Sequence, residues 1–416
     1  MIQSWIGPYL VFLLVVCTAL SAPVAPRSAA AFLGIAAFGI LLIAPGVIGA
    51  RLAELLRQRG RTFRLLLVAA AVLAAVRIGL DVVTSTHLPE TLLRYTRLVG
   101  LGFAGAIVLC AVAVQPQRLL VPVLAVAITV AVVGASIANN MVFSDLNVRD
   151  AQHFNRVFLL LCILSFALLF CRPSSTGRRK ELAAMGLVSL LFLWAGWESG
   201  SDSTILLALA TPAVWLCLRG ATEATVRTFS YALVLLPLLV PLLIAVSSGW
   251  AGELIALNDT FSRRTSASTR WAIWSQSLWL GMERPLLGHG VDALRYADPA
   301  ITAPTRTGSR PLSSFNHPHN AYLEIFVNFG VLGIAMLTML LAGISEALSR
   351  IRDRAVRIGA LSIHAGLCTV IAVSHGVFQS WWVALMLIVV ALFVAAQGAL
   401  PTGSAASPIP STPSER

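Results

Sequence analysis

A histidine pair near residue 319 is the part of the sequence best suited to acid–base chemistry. The segment His317-Pro318-His319-Asn320 comes directly before a long apolar run, at the point where a membrane helix would begin. An imidazole has a pKa of about 6.5, and at the wet end of such a helix it can take a proton from a hydroxyl group. For His319 two interpretations stand side by side: a general base, or a structural residue that hydrogen-bonds backbone at a helix start.

Three arginines in one short stretch form the second candidate group. Arg263, Arg264 and Arg270 carry planar forks of donors that suit phosphate oxygens and stay charged at any relevant pH. We predict that they bind the phosphates of a lipid-linked substrate near the bilayer surface. For Arg263 and Arg264, binding to lipid head groups is an equally good interpretation.

Metal chemistry is not expected. The pair His317-x-His319 has no cysteine nearby and no acidic residue between Asp298 and Glu324, whereas zinc sites draw on several such ligands. The six cysteines lie in or beside apolar segments without metal-ligand spacing, so we interpret them as packing residues. We therefore predict no metal and no other cofactor.

The composition places these residues in a membrane protein. The chain has 416 residues, of which 57% are hydrophobic and 12% are charged, against roughly 25% charged in soluble domains. The net charge of +12 comes from short clusters between apolar runs. Clusters of this kind indicate topology rather than a nucleic-acid surface, so we expect contacts with membrane lipids and none with nucleic acid.

Hydropathy predicts an all-α polytopic protein with about twelve transmembrane helices. These are centred near residues 13, 40, 74, 107, 130, 163, 190, 210, 238, 332, 367 and 390. Basic residues concentrate in segments 51–64, 172–180 and 345–357, which the positive-inside rule assigns to the cytoplasm together with both termini. The localisation that follows is the bacterial inner membrane, with the long loop facing the periplasm.

We divide the chain into four parts: transmembrane helices 1–9 (residues 1–248), a periplasmic loop domain (249–318), transmembrane helices 10–12 (319–398) and a disordered cytoplasmic tail (399–416). Within the loop, residues 268–280 predict an amphipathic helix that lies on the membrane surface or against the bundle. Residues 298–316 predict a flexible flap, because they are rich in Pro, Ser, Thr and Gly.

Two ordered motifs carry a family resemblance. His319 and Asn320 are followed by nine residues and Gly330-x-x-Gly333, which resembles the H-[NSQ]-x9-G-x-x-G signature of bacterial O-antigen ligases of the Wzy_C superfamily. Upstream, Arg270-x-x-x-Trp274 and the sequence RPLLGHG at 284–290 resemble a second block of that superfamily. The resemblance implies a metal-independent, inverting glycosyltransferase with a GT-C-related fold. Its implied substrates are undecaprenyl-pyrophosphate-linked O-antigen and lipid A-core oligosaccharide.

The resemblance favours the catalytic interpretation of His319 and implies that Arg270 offsets the charge of the pyrophosphate leaving group. His317 is the alternative base and a substrate-binding candidate. Asn320 is predicted to orient His319 or to cap the helix. Gly330 and Gly333 are expected on one helix face, where they permit close packing.

The sequence departs from the family at one place. Many relatives carry a Ser-Arg pair before the eighth span, whereas residues 198–203 here read ESGSDS. We predict that the second phosphate is held instead by Arg263, Arg264, Arg149 or Arg156, all of them substrate-binding candidates.

Three other functions compete with the ligase. An O-antigen polymerase uses the same donor, and a protein O-glycan ligase transfers the glycan to a polypeptide. The short tail after the last predicted span favours a lipid A-core acceptor over a protein acceptor. A lipid-linked glycan transporter fits less well, because the ionisable residues concentrate outside the predicted bilayer core.

Overall fold

The computed structural model describes residues 13–22, 29–43, 87–112, 148–171, 178–247, 267–305, 308–374, 376 and 378–398, and scattered positions between 65 and 83. This part of the chain is mostly helical. Its helices are α1 (Ala29–Ile43), α2 (Leu88–Val112), α3 (Val148–Phe170), α4 (Arg178–Ser199), α5 (Asp202–Arg219), α6 (Glu223–Ala232), α7 (Leu236–Ser247), α8 (Ala267–Glu283), α9 (Ala321–Ser349), α10 (Arg354–Val373) and α11 (Ser380–Gly398). Residues 13–21 are also helical.

The chain is a multi-pass membrane protein. Within the described ranges, six helical stretches are long and apolar enough to cross a bilayer: Pro89–Val108, Arg179–Ser199, Asp202–Arg219, Glu223–Ser247, Ala321–Ser349 and Arg354–Val373. Shorter apolar helices cover Ala29–Leu42, Asn155–Phe170 and Ser380–Phe393. Each of these overlaps a predicted span, although Pro89–Val108 begins well before the span that was predicted near residue 107. The predicted spans near residues 13, 74 and 130 lie partly or wholly outside the described residues.

Small residues let the central helices approach closely. Helix α10 lies against α5, where a Cβ added at Gly366 would come 2.3 Å from the Thr211 hydroxyl oxygen. At Gly359 the added Cβ would come 2.4 Å from Phe170 of α3. Helix α3 is buried from Val157 to Leu164, so it lies inside the bundle. Close backbone approach of this kind is how helices associate without a hydrophobic driving force in lipid.

Helix α9 is interrupted at Gly330, which has φ 62° and ψ −153°. The expectation that Gly330 and Gly333 share one face of a continuous helix was therefore wrong. The turn 284–290 crosses the backbone at this break. His289 N–H donates to the Val327 carbonyl at 2.9 Å, and Val331 N–H donates to the Pro285 carbonyl at 2.8 Å. The crossing supplies partners to backbone groups that the break would leave unsatisfied, which is a requirement at membrane depth.

The described residues between 267 and 318 are only partly helical. Helix α8 packs against α7 and α9, which agrees with the predicted position against the bundle. After it come two 3₁₀ turns, Ala293–Tyr296 and Leu312–Ser314, and an antiparallel hairpin of β1 (Thr302–Thr305) and β2 (Gly308–Pro311), with Thr302 opposite Pro311. The all-α prediction missed this hairpin, which occupies the segment predicted as a flexible flap.

Candidate active site

One cavity of about 860 Å³ lies at the ends of several helices. Its volume is in the range of small-molecule sites, roughly 300–1,000 Å³. Helices α2, α3, α5 and α8, the segment 310–319 and the segment 374–381 all contribute to its lining. The charged lining residues within the described part of the chain are Arg94, Arg97, Arg156, Arg270, Arg295, Arg310, Asp202 and Glu324, with His317 and His319 beside them. Six arginines against two carboxylates suit an anionic ligand.

His319 stands at the edge of this cavity in a defined protonation state. Its Nδ1 lies 2.9 Å from the carbonyl oxygen of Ser374. A carbonyl oxygen can only accept a hydrogen bond, so Nδ1 carries the proton and Nε2 keeps its lone pair. Burial lowers the pKa of His319 below its ordinary value; the bond to Ser374 raises it and the nearby charge of Arg270 lowers it further. The imidazole is therefore neutral at pH 7 and able to accept a proton.

His317 supports the backbone conformation of His319. The φ of His319 is 56°, a left-handed value that is uncommon outside glycine. Its backbone N–H donates to Nδ1 of His317 at 3.2 Å, and the two rings lie 4.4 Å apart between centroids. On the other side, Trp274 of α8 donates its indole N–H to the Pro318 carbonyl at 2.9 Å. Both side chains thus hold the turn that presents His319.

Asn320 acts as the N-cap of α9. Its Oδ1 accepts from the Leu323 N–H at 3.1 Å, so of the two predicted roles the structure assigns the cap. Glu324, one turn into α9, is buried and lines the cavity. In the part of the chain that the structure describes, His, Cys, Asp and Glu side chains form no group of three or more that could hold a metal ion.

Arg270 reaches the same cavity from α8. Its guanidinium lies 3.2 Å from a carboxylate oxygen of Asp202. Burial lowers the pKa of Arg270 and Asp202 raises it; an arginine starts so high that the group stays charged. Since the charge of Arg270 is felt at His319, the predicted base and the predicted phosphate ligand lie close together.

Asp202 lies in the segment 198–203, where the family resemblance implies an arginine. It begins α5 next to Ser203, whose hydroxyl forms a hydrogen bond with the hydroxyl of Ser374. The carbonyl of Ser374 in turn accepts from His319. The start of α5 is therefore joined to both predicted catalytic residues: Asp202 holds Arg270, and Ser203 holds the residue that orients His319.

The remaining predicted site residues divide into two groups. Arg156, on α3, lines the cavity. The side chain of Arg149, and both Arg263 and Arg264, lie outside the described residues. Sequence reasoning missed four lining arginines: Arg94, Arg97, Arg295 and Arg310. For Arg94 and Arg97 the sequence held a signal, because two arginines three residues apart lie in an otherwise apolar helix. A charged side chain inside a span is costly and therefore indicates a functional site.

Comparison with known proteins agrees with the motifs. Residues 164–338 match the Wzy_C family model, described as O-Antigen ligase. This segment is therefore similar to O-antigen ligases. A protein of Rickettsia prowazekii (strain Madrid E) named "Putative polysaccharide ligase" is 26% identical to this chain over 119 residues. That match spans 28% of this chain and 29% of the length of the relative.

The matched segment does not contain the whole cavity. Arg270, Asp202 and His319 lie inside residues 164–338. Arg94 and Arg97 of α2 precede this segment, and Ser374 and Gln379 follow it. Gln379 places its side-chain nitrogen 3.1 Å from Nε2 of His317. The helices outside the matched segment therefore complete the site.

Proposed function

We propose that this protein is an O-antigen ligase. It transfers O-antigen polysaccharide from undecaprenyl pyrophosphate to lipid A-core oligosaccharide at the periplasmic face of the inner membrane. The observation that carries the proposal is the convergence of a neutral His319 and a charged Arg270 in one arginine-lined cavity, and both residues lie in the segment that matches O-antigen ligases.

The chemistry needs only these groups and the substrates. Nε2 of His319 takes the proton of the acceptor hydroxyl as its oxygen attacks the anomeric carbon of the first donor sugar. The bond from that carbon to the pyrophosphate oxygen breaks on the opposite face, which inverts the configuration. The electron pair leaves with the undecaprenyl pyrophosphate, and the fixed charge of Arg270 offsets the negative charge that develops there. The proton returns to solvent from His319.

The positions of the basic segments support a periplasmic site. Helices α4 and α10 begin at Arg178 and Arg354 and end beside the cavity, at Ser199 and Val373. Helix α9 begins beside the cavity and ends before Arg350. The basic ends of these helices thus lie opposite the cavity. By the positive-inside rule they face the cytoplasm, and the cavity faces the periplasm.

The same proposal includes the number of spans and the arginines that contact the donor. We propose twelve spans in a GT-C-related arrangement, with a loop domain at 249–318 between the ninth and tenth spans. Arg263, Arg264 and Arg149 stay candidates for contact with the donor phosphates, together with Arg156.

The test is reconstitution of purified protein in lipid with the lipid-linked glycan, lipid A-core and a chelator. Glycan on lipid A-core supports the ligase. Longer glycan on the carrier indicates a polymerase, glycan on added pilin indicates a protein ligase, and no covalent product overturns the enzyme. His319→Ala and Arg270→Ala should abolish product. The matched controls His87→Ala and Arg352→Ala, at exposed positions outside the cavity, should retain it.

A further inference from the structure

Two arginines enter the cavity from within a membrane helix. Arg94 and Arg97 belong to the apolar stretch Pro89–Val108 of α2, and both line the cavity. Residues three apart lie on the same helix face. A charged side chain inside a span is expensive, and it normally faces a water-filled path or binds something. Helix α2 therefore carries these two charges for a reason that bundle packing does not supply.

A third arginine joins them across the loop domain. Arg94 forms an ion pair with Asp292, whose side chain is only 3% exposed. Asp292 has a left-handed φ of 64° and directly precedes the 3₁₀ turn that carries Arg295. Burial raises the pKa of the Asp292 carboxyl, while the charges of Arg94 and Arg295 act in the opposite direction. Arg94 and Arg295 thus gather around one carboxylate, with positive charge left over, and Arg97 lines the same cavity one turn along α2 from Arg94.

This group is distinct from the one around His319. Arg270 pairs with Asp202 and comes from α8, whereas Arg94 and Arg97 come from α2 and Arg295 from the 3₁₀ turn. All four nevertheless line one cavity of about 860 Å³. A transferase must hold donor and acceptor at the same time, and the donor pyrophosphate belongs near His319, where the bond breaks. The second group is then available to the other substrate.

We propose that Arg94, Arg97 and Arg295 form a second anion subsite, which binds a phosphate or carboxylate group on the acceptor. The proposal rests on the proposed function and adds the chemistry by which the acceptor is chosen: an anionic core oligosaccharide. Arg94 is anchored by Asp292, so Arg97 and Arg295 make the exposed contacts. Guanidinium groups from two elements can take up phosphate oxygens from two sides.

The test is a kinetic comparison of Arg97→Gln with wild type in nanodiscs of zwitterionic phosphatidylcholine, with a donor that carries a neutral glycan. The expected result is an acceptor KM raised about tenfold, since a hydrogen bond to a charged group is worth about that factor or more. The donor KM and kcat should stay unchanged. Removal of the acceptor's phosphates with phosphatase, together with chemical reduction of its carboxyl groups, should raise the acceptor KM of the wild-type protein to that of Arg97→Gln. Arg97→Lys should recover most of the affinity, and Arg352→Gln, at an exposed position outside the cavity, should behave as wild type.

Direct binding separates this proposal from the proposed function. In the absence of donor, labelled lipid A-core should bind to the wild-type protein more tightly than to Arg97→Gln, whether or not ligation occurs. If the wild-type protein binds lipid A-core but does not ligate glycan to it, the proposed function is overturned and the anion subsite stands. Three results overturn the subsite: an unchanged acceptor KM, a raised donor KM, or an effect that appears only in anionic lipid, which assigns the arginines to head groups. An equal thermal midpoint for both proteins excludes misfolding.

Discussion

The crossing at Gly330 permits a prediction worked directly from distances. A Cβ added at Gly330 would lie 2.5 Å from the carbonyl carbon of Leu286 and 2.5 Å from the Pro285 oxygen, with the backbone at φ 62°. With φ 62° and ψ −153°, Gly330 occupies a backbone region essentially confined to glycine, which costs an alanine about 1–3 kcal/mol. Contact with backbone adds an overpacking cost of about 1–3 kcal/mol, because backbone cannot rotate away as a side chain can. Gly330→Ala should therefore reduce the free energy of unfolding by about 2–6 kcal/mol.

Gly200 offers the matched control. Its φ is 65°, but nothing lies within 4 Å of an added Cβ. Gly200→Ala should therefore pay the conformational cost alone, about 1 kcal/mol. The assay is unfolding of both variants in the same detergent by titration with sodium dodecyl sulfate, followed by tryptophan fluorescence. If the two variants lose equal stability, the crossing is not tight and the reasoning about Gly330 is refuted.

Three further predictions concern the site. The kcat/KM for ligation should rise with pH through a pKa below 6.5 and then level off, because only neutral His319 accepts a proton; an acid limb centred above 6.5 in a pH–rate profile would contradict this. Asn320→Ala should lower the unfolding free energy by about 1 kcal/mol through loss of the cap, whereas Asn320→Asp, which keeps the acceptor, should not; denaturant titration distinguishes them. Asp202→Asn removes the ion pair between Asp202 and Arg270. Arg270 is then free to bind the donor, so the donor KM should fall. An unchanged or higher donor KM would show that Asp202 does not compete with the donor for Arg270.

Local spacing predicted those parts of the site that lie within the two motifs. His319, Arg270 and Trp274 were singled out because they lie in two short segments that resemble motifs of the family, and the structure brings all three together. The spans were predictable for a similar reason, since about 20 apolar residues in sequence are sufficient evidence for a helix. Both kinds of signal are contained in a short window of chain.

The missed residues depend on contacts between distant segments. Ser374 and Gln379 reach the site through packing of α10 and α11, and no local pattern links them to His319. Arg94 and Arg97 were not predicted as site residues, because the predicted span is centred near residue 107, whereas α2 begins at Leu88. The hairpin was missed because its strands have four residues each, too few for an alternating pattern to be visible.

The structure explains why the two motifs occur together at fixed internal spacing. Helix α8, which carries Arg270, ends at the turn 284–290, and this turn is hydrogen-bonded to α9 at its break. From that crossing, residues 321–329 of α9 run back toward His319 over about 13 Å, at 1.5 Å per residue. Gly281 lets the helices meet closely, since its added Cβ would come 2.7 Å from the ring of Phe326. Arg270 on α8 and His319 at the start of α9 thus lie on two helices that are held together at one backbone crossing. The nine residues between Asn320 and Gly330 set the length of α9 on the His319 side of this crossing, so an insertion there would move the base away from the guanidinium without unfolding either helix.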